Sequence, residues 1–561
     1  MIQQIVRFDG GLSTKISPHL IQSNEGIVCE NVNLEKGTLY PLSSLTQLST
    51  PNDNVAGKHI YVQEDIVISN QAEADDRFYD TYGGRTYWTN DSYGTYGLVR
   101  YNDTDIGIEA TAPSALSTTE LSYILINESA AVEGFLTQGA AYVYAFTIVD
   151  TDGIESAPVF KDGVDPTASK NSMELKITHA NLVTIQTNHP DMVGINVYRV
   201  GGDNPTFNLL IDELSETTPD VVDDLTNYLW YDKVADIDVS RIELYTFENT
   251  PPPEDLDMLL EINGTMWGSV GKKIHFARTG SPEYWGNLDY VQLDKDCTGL
   301  GKFGDSVIAF TRTSAYIITG STRDDVSIDR LPFNQGCVQK HTVVNIDAYL
   351  VWTSLNGICI FNGSSIEVLT KKSISWDEFG RVGNLTYDDY GTDLTKWDSA
   401  SGFDIQYAAG WQDKYYGVFN NGIVILDLSD GLKVSSIAVE NVKSVAINSD
   451  DNLLYVVVLN ADLTTYDVYY LSENETKMTA TWKTGRLDDQ TTDVIKHYRD
   501  VEFDGNPTTV EVFIDGISKK VYTGKSKFKL PAGSFGRDIQ FEITTTEEIR
   551  SMKYEYSVKK A

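Results

Sequence analysis

The chain has 561 residues, of which 41% are hydrophobic, with 32 Tyr, 20 Phe and 9 Trp. That is too long for one core, and it holds enough aromatic surface to bury several. Acids outnumber bases by 81 to 44, a formal charge of −37. This sign excludes binding along a nucleic-acid backbone, which needs a cationic surface.

No run of about 18 apolar residues marks a membrane-spanning helix. The opening Met1–Gly10 lacks the apolar stretch of a signal peptide, so the expected compartment is cytosolic. The four cysteines, Cys29, Cys297, Cys337 and Cys359, form no Cys-x-x-Cys pair, and the seven histidines are scattered. Buried free thiols are expected rather than zinc, and no cofactor is implied.

Residues 1–56 are short apolar pairs broken by Gly, Asn and Pro, such as Phe8–Ser13 and Cys29–Leu42. They read as an extended arm laid over another surface. Residues 57–105 alternate in the manner of hairpins, with His59–Ser69 and then Arg77–Thr89 turning at a Gly-Gly pair. They are expected to form a first propeller blade.

Residues 113–240 interrupt that rhythm. Tyr142–Asp150 and Gly194–Val200 alternate cleanly around a Gly-Ile-Glu-Ser-Ala-Pro turn. The segment resembles a fibronectin type III-like sandwich, a module used as spacer or docking platform far more often than as a catalyst. The proline run Pro251–Pro253 reads as a stiff linker.

From Met258 to Trp482 one phrase recurs about every 40 residues: an apolar run, a turn, a Tyr/Trp-rich run, a turn. The pairs Ser306–Thr311 with Ala315–Gly320, and Lys414–Phe419 with Gly422–Leu428, are examples. Residues 258–482 are therefore expected to supply the remaining blades. Residues 375–400 break the rhythm as a loop or short helix. Residues 483–561 carry four more alternating runs and are expected to form a C-terminal β-sandwich. The predicted fold is all-β: a β-propeller with the inserted sandwich and a C-terminal sandwich.

No phosphate loop, His-Glu-x-x-His, Gly-x-Ser-x-Gly or sialidase Asp-box is present, so no catalytic residue is assigned and the chain is not expected to be an enzyme. Asp388–Asp393 lacks EF-hand spacing. His275 is expected in a strand, and Trp285 and Trp411 in the core or at a blade junction rather than as sugar-stacking platforms. The charge is uneven. Residues 212–257 carry 14 acids and 2 bases, whereas 517–561 carry 10 bases and 5 acids.

Several motifs occur in a suggestive order. They include Phe-Asp-Gly-Gly-Leu at Phe8–Leu12, Gly-Thr-Leu-Tyr-Pro at Gly37–Pro41, and the sandwich with its Glu-Ser-Ala-Pro and Val-Tyr-Arg. Phe276–Trp285, Ile308–Gly320, Gly336–Val344 and Trp352–Ile358 follow. Together they resemble the tail nozzle, or tail tubular protein B-like, proteins of short-tailed phages. The resemblance spans most of the chain. It implies a virion protein assembled in the host cytoplasm: a hexameric ring at the distal tail end, docked on the tail adaptor, holding fibres, and passing double-stranded DNA without binding it specifically. A host cell surface is a further partner it allows. Asp220, Asp223 and Asp224, in the densest acidic stretch, are then the candidate channel-lining acids. The alternative is a receptor- or glycan-binding β-propeller on a virion surface.

Overall fold

A computed structural model describes residues 1–48, 60–63, 66–69, 78–82, 85–89, 98–102, 105–109, 113–151, 153–167, 169–214, 222–247, 249–371, 374, 405–419, 422–429, 431–448, 452–460, 466–472, 476–489 and 494–558. Residues 375–400 and Asp388–Asp393 lie outside these. The protein is almost entirely β, and its α-helices among the described residues are Thr118–Tyr123 and His179–Asn188. The chain divides into two units: residues 1–77, 293–319 and 327–561, and residues 78–292 with 320–326. That division falls inside the segment 57–105 expected as a single blade. Ile60–Gln63 and Ile66–Ser69 form a hairpin in one unit, while the four strands between Tyr79 and Glu109 form a sheet in the other.

In the unit of residues 78–292, that sheet is one antiparallel meander and Asp257–Gln292 is a second. Tyr87, Leu256, Leu259, Met266, Ala277 and Trp285 fill one core from both segments. The turn Asn263–Gly264 joins two strands of the second meander with φ of 52° and 82°. This left-handed pair is the backbone of a two-residue hairpin turn, which Asn-Gly adopts at little steric cost.

Between the two meanders sits the inserted sandwich, with two four-stranded sheets. One runs in the order Leu125–Ser129, Ser172–Thr178, Asn227–Asp232, Val222–Asp223; the other runs Val159–Asp162, Tyr142–Asp150, Met192–Gly201, Asn204–Leu214. Tyr144, Phe146, Ile148, Met173, Ile195 and Val197 fill the space between them. The proline-containing segment returning to the second meander is pinned, because Trp285 N donates to Thr250 O at 2.9 Å.

In the other unit, four-stranded meanders span Gly299–Arg330, Val344–Val368 and Tyr407–Ile437. A fourth has only three sequential strands, between Val442 and Leu471, and Leu45–Gln47 from the N-terminal arm supplies the missing one. The arm does this twice more. Glu25–Glu30 lies between Lys433–Ile437 and Ala480–Thr484, and Ile2–Ile5 pairs with Ser551–Val558.

The residues 483–561 expected as a C-terminal sandwich do lie in two sheets, but the boundary at 483 is not a structural one. Strand Ala480–Thr484 crosses it and pairs with Ile539–Thr545. A ten-stranded sheet therefore runs without interruption from Tyr407–Trp411 to Ile517–Thr523. Between the two terminal sheets lie Tyr498, Val512, Phe541, Ile543 and Met552, joined by Phe8 of the arm. The Phe8 ring meets Trp482 edge-on at 5.7 Å, and both are 0% exposed.

Three of the cysteines, Cys29, Cys337 and Cys359, are buried free thiols, and Cys297 is half-buried. Burial pushes Cys337 and Cys359 up to about 12 each, which leaves them protonated and unreactive near neutrality.

Two sets of outcomes are expected, the first in the unit that holds Phe8. Phe8→Ala opens a cavity against Trp482 and should cost about 3–5 kcal/mol in urea unfolding; truncation at Arg486 should abolish cooperative melting of this unit rather than trim a detachable domain. The second concerns the helix Thr118–Tyr123, capped by a Ser117–Glu120 box. Glu120 is 4% exposed. Burial alone would raise its carboxyl, but bonds from Asn188 Nδ2 and from Ser117 N and Oγ hold it down at about 2. A carboxyl depressed on folding contributes stability above its unfolded value that is lost as pH falls. The inserted domain should therefore lose on the order of 3 kcal/mol between about pH 5 and pH 2. Glu120→Gln should flatten that acid limb in a pH series of melting curves.

Candidate functional site

The candidate channel acids fall at one edge of the inserted sandwich. Asp220 lies outside the described residues. Asp223 and Asp224 are exposed, at the turn between Val222–Asp223 and Asn227–Asp232. Asp223 Oδ1 accepts from Leu225 N at 2.7 Å and lies 2.9 Å from His179 Nε2. Asp224 Oδ1 accepts from Thr226 N at 3.0 Å and Asn227 N at 2.7 Å, and the Asn227 side chain donates to both its oxygens. The Asn227 bond first, then the backbone bonds, hold its carboxyl below the usual range. Such side-chain-to-backbone bonds build the turn itself, as Asp does in Asx-turns. Both acids thus have local structural work, and their charge is offered only from the turn's outer surface.

Two buried polar clusters in the same domain were not singled out by sequence reasoning, although both sit in motifs it quoted. The first is Glu155, of the Glu-Ser-Ala-Pro turn. Its Oε1 accepts from Thr147 Oγ1 at 2.6 Å, Asn196 Nδ2 at 2.6 Å and Tyr198 OH at 2.7 Å. Its backbone N donates to the Tyr284 hydroxyl at 2.6 Å, and its carbonyl accepts from Asn249 Nδ2 at 3.0 Å. Glu155 therefore ties the inserted sandwich to the strand Ser281–Gln292.

The second cluster centres on Arg199, of the Val-Tyr-Arg motif. Arg199 Nη1 lies 2.7 Å from both Asp232 oxygens, Nη2 lies 3.0 Å from Asp236 Oδ1, and Tyr144 OH donates to Asp232 at 2.6 Å. Burial pushes the Asp232 carboxyl up despite the guanidinium beside it. An arginine, tyrosines and carboxylates meet here as a glycosidase would require, but Arg199, Tyr144 and Asp232 are all 0% exposed. No substrate reaches them, and the cluster is a staple.

Of the other singled-out residues, His275 sits in strand Lys273–Arg278, and burial lowers it to about 4, a neutral imidazole at pH 7. Trp285 is core, its Nε1 donating to Pro282 O at 2.7 Å. Trp411 is not. It is half-buried on the wall of a cavity of about 560 Å³ between residues 32–43 of the arm and the sheet of residues 407–437. Asn452 fixes its indole, accepting from Nε1 through its carbonyl at 3.1 Å and its side chain at 2.9 Å. Lys36, Tyr40, Lys414, Tyr416 and Lys477 share the lining. Among the described residues, no group of three His, Cys, Asp or Glu is placed to hold a metal ion.

No family model matches this chain, and no curated protein matches it in sequence. In three dimensions it is similar to apo AztD from Citrobacter koseri, at 9% identity and a TM-score of 0.24 over 72% of this chain and 98% of that one. It is also similar to the Pan2 WD40 domain of Neurospora crassa, at 10% identity and a TM-score of 0.24 over 42% of this chain and 81% of that one. At these scores neither likeness decides a function.

Arg199→Met should leave Asp232 buried without its counter-charge. The expected loss is about 3–5 kcal/mol in denaturant unfolding of the inserted domain. Asp224→Ala should lower the melting temperature of the same domain through the turn, whereas Asp223→Asn, which keeps an acceptor for Leu225 N, should not.

Proposed function

We propose that this chain is a structural virion protein of the tail-nozzle type: a propeller-based subunit of a hexameric ring, with an acidic channel through which the genome leaves. It docks on a tail adaptor and holds fibres, and it has no catalytic role. The observation that carries the reading is the four-stranded antiparallel meander. It recurs twice in one unit and four times in the other among the described residues, and the last copy is completed by the arm strand Leu45–Gln47. Such meanders are the repeat of propeller blades, and the arm strand brings the last sheet to the same four-stranded form. The order of phage-tail motifs along the chain supports the rest.

A net charge of −37 suits a surface that DNA must pass without sticking. Acids on a bore repel phosphates within a Debye length of about 8 Å, whereas a basic lining would hold the backbone at many points. The ten bases against five acids in residues 517–561 offer the opposite sign, suited to an acidic neighbour in an assembly.

The test is the mass and shape of the purified full-length chain, by mass photometry and negative-stain imaging. Sixfold rings with a central hole are expected. A monomer at micromolar concentration, with or without the other tail proteins, would overturn the nozzle and leave the singly displayed receptor- or glycan-binding propeller.

A further inference from the structure

The cavity beside Trp411 has the composition of a ligand site. One wall is arm, residues 32–43, and the other is the sheet of residues 407–437. Trp411 and Tyr416 stand at 5.8 Å with an interplanar angle of 44°, two aromatic rings set by the pairing of Trp411 with Lys414 across a two-residue turn. Tyr416 lines the cavity with most of its ring buried, and among the described residues no hydrogen bond engages its hydroxyl. The hydroxyl is not sealed from solvent, so a ligand acceptor can take the bond that water otherwise makes to it.

The charges are also arranged. Lys414 is paired with Glu35, and Asp427 is occupied in capping Ser429 at 3.0 Å to its N and 2.6 Å to its Oγ. Lys36 and Lys477 are different. Their ammonium groups lie 5.7 and 5.3 Å from the centre of the Tyr40 ring, and no carboxylate among the described residues pairs with either. Lys477 donates to Ser43 Oγ at 2.8 Å, which positions it without neutralising it. On a chain with an excess of 37 acids, two unneutralised cations at one cavity mark a place for an anion.

We propose that this cavity binds an acidic saccharide. The apolar face of a sugar ring lies on Trp411, and the Tyr416 hydroxyl donates to a sugar oxygen. Lys36 and Lys477 receive a carboxylate or phosphate substituent. Aromatic rings beside a few convergent polar groups are the usual make-up of such a site. A flat peptide or a bare anion would leave either the cations or the rings unused. The inference is independent of the ring reading, because assembly is read by mass and this site by ligand retention.

The full-length protein would be applied to an array of uronic-acid, sialic-acid and phosphate-bearing oligosaccharides beside their neutral counterparts, and hits would be titrated calorimetrically. Acidic saccharides should be retained over neutral ones, with affinity falling as salt is added. The double variant Lys36→Gln/Lys477→Gln should bind at least about tenfold more weakly, and Tyr416→Phe about three- to tenfold more weakly. Tyr416→Phe keeps the ring and its packing, so its unchanged melting temperature serves as the folding control. Equal retention of neutral saccharides, no retention of acidic ones, or unaltered binding in both variants would overturn the proposal. Displacement by inorganic phosphate at the saccharide's own concentration would overturn it too, by assigning the site to a bare anion.

Discussion

The interaction on which the rest depends is backbone pairing by the first 48 residues. A β-sheet ends in a row of unpaired N–H and C=O groups, and proteins must cover such edges or aggregate through them. Here the chain covers them with itself. Ile2–Ile5 takes the edge of Ser551–Val558, and Leu45–Gln47 takes that of Tyr466–Leu471. Glu25–Glu30 bridges two sheets that would otherwise end at Ile437 and Ala480. Main-chain bonds supply the affinity in strand addition, and alternate side chains in pockets supply the register. Phe8, between two of the arm strands, adds a buried ring against Trp482. The same arm then forms one wall of the Trp411 cavity, so the scaffold and the site share one cause.

The inserted sandwich is held by a different device. Its core is ordinary apolar packing, but its joints are buried polar groups with several partners each: Glu155 with five, and Arg199 between Asp232 and Asp236. Replacing such a group by an apolar one is tolerated only if its partners go too, so these clusters specify one arrangement more than they add stability. A platform looped out of a sheet protein needs that definition, because its own core does not dictate how it meets its host.

Much of this was legible in the sequence, where it depends on local periodicity. Alternation in Thr509–Ile514 and Ser551–Val558 gives strands buried on one face. Asn263–Gly264 and Asp515–Gly516 mark hairpins whose left-handed φ values those residues adopt readily. The break in rhythm at 113–240 marks the insertion. These readings need only neighbours within a few residues.

What only the tertiary structure decided is which edges meet, and what that meeting buries. Pairing between Glu30 and Ser436, or between Leu45 and Leu471, is made by backbone groups that are the same at every residue, so no side-chain pattern encodes it. For the same reason the boundaries at 105 and 483, drawn where the local texture changes, fall inside or across continuous structure. Side-chain type was equally silent on burial. Arg199 reads as a surface cation and is sealed between two carboxylates, while Trp411 reads as core and lines a cavity. Asp224 reads as free charge and builds a turn. The sequence by itself determined the strands and their turns, because those follow from residue-to-residue sterics and alternation. The fold decided the site, because a cavity is made by segments some 400 residues apart whose approach depends on the whole sheet order.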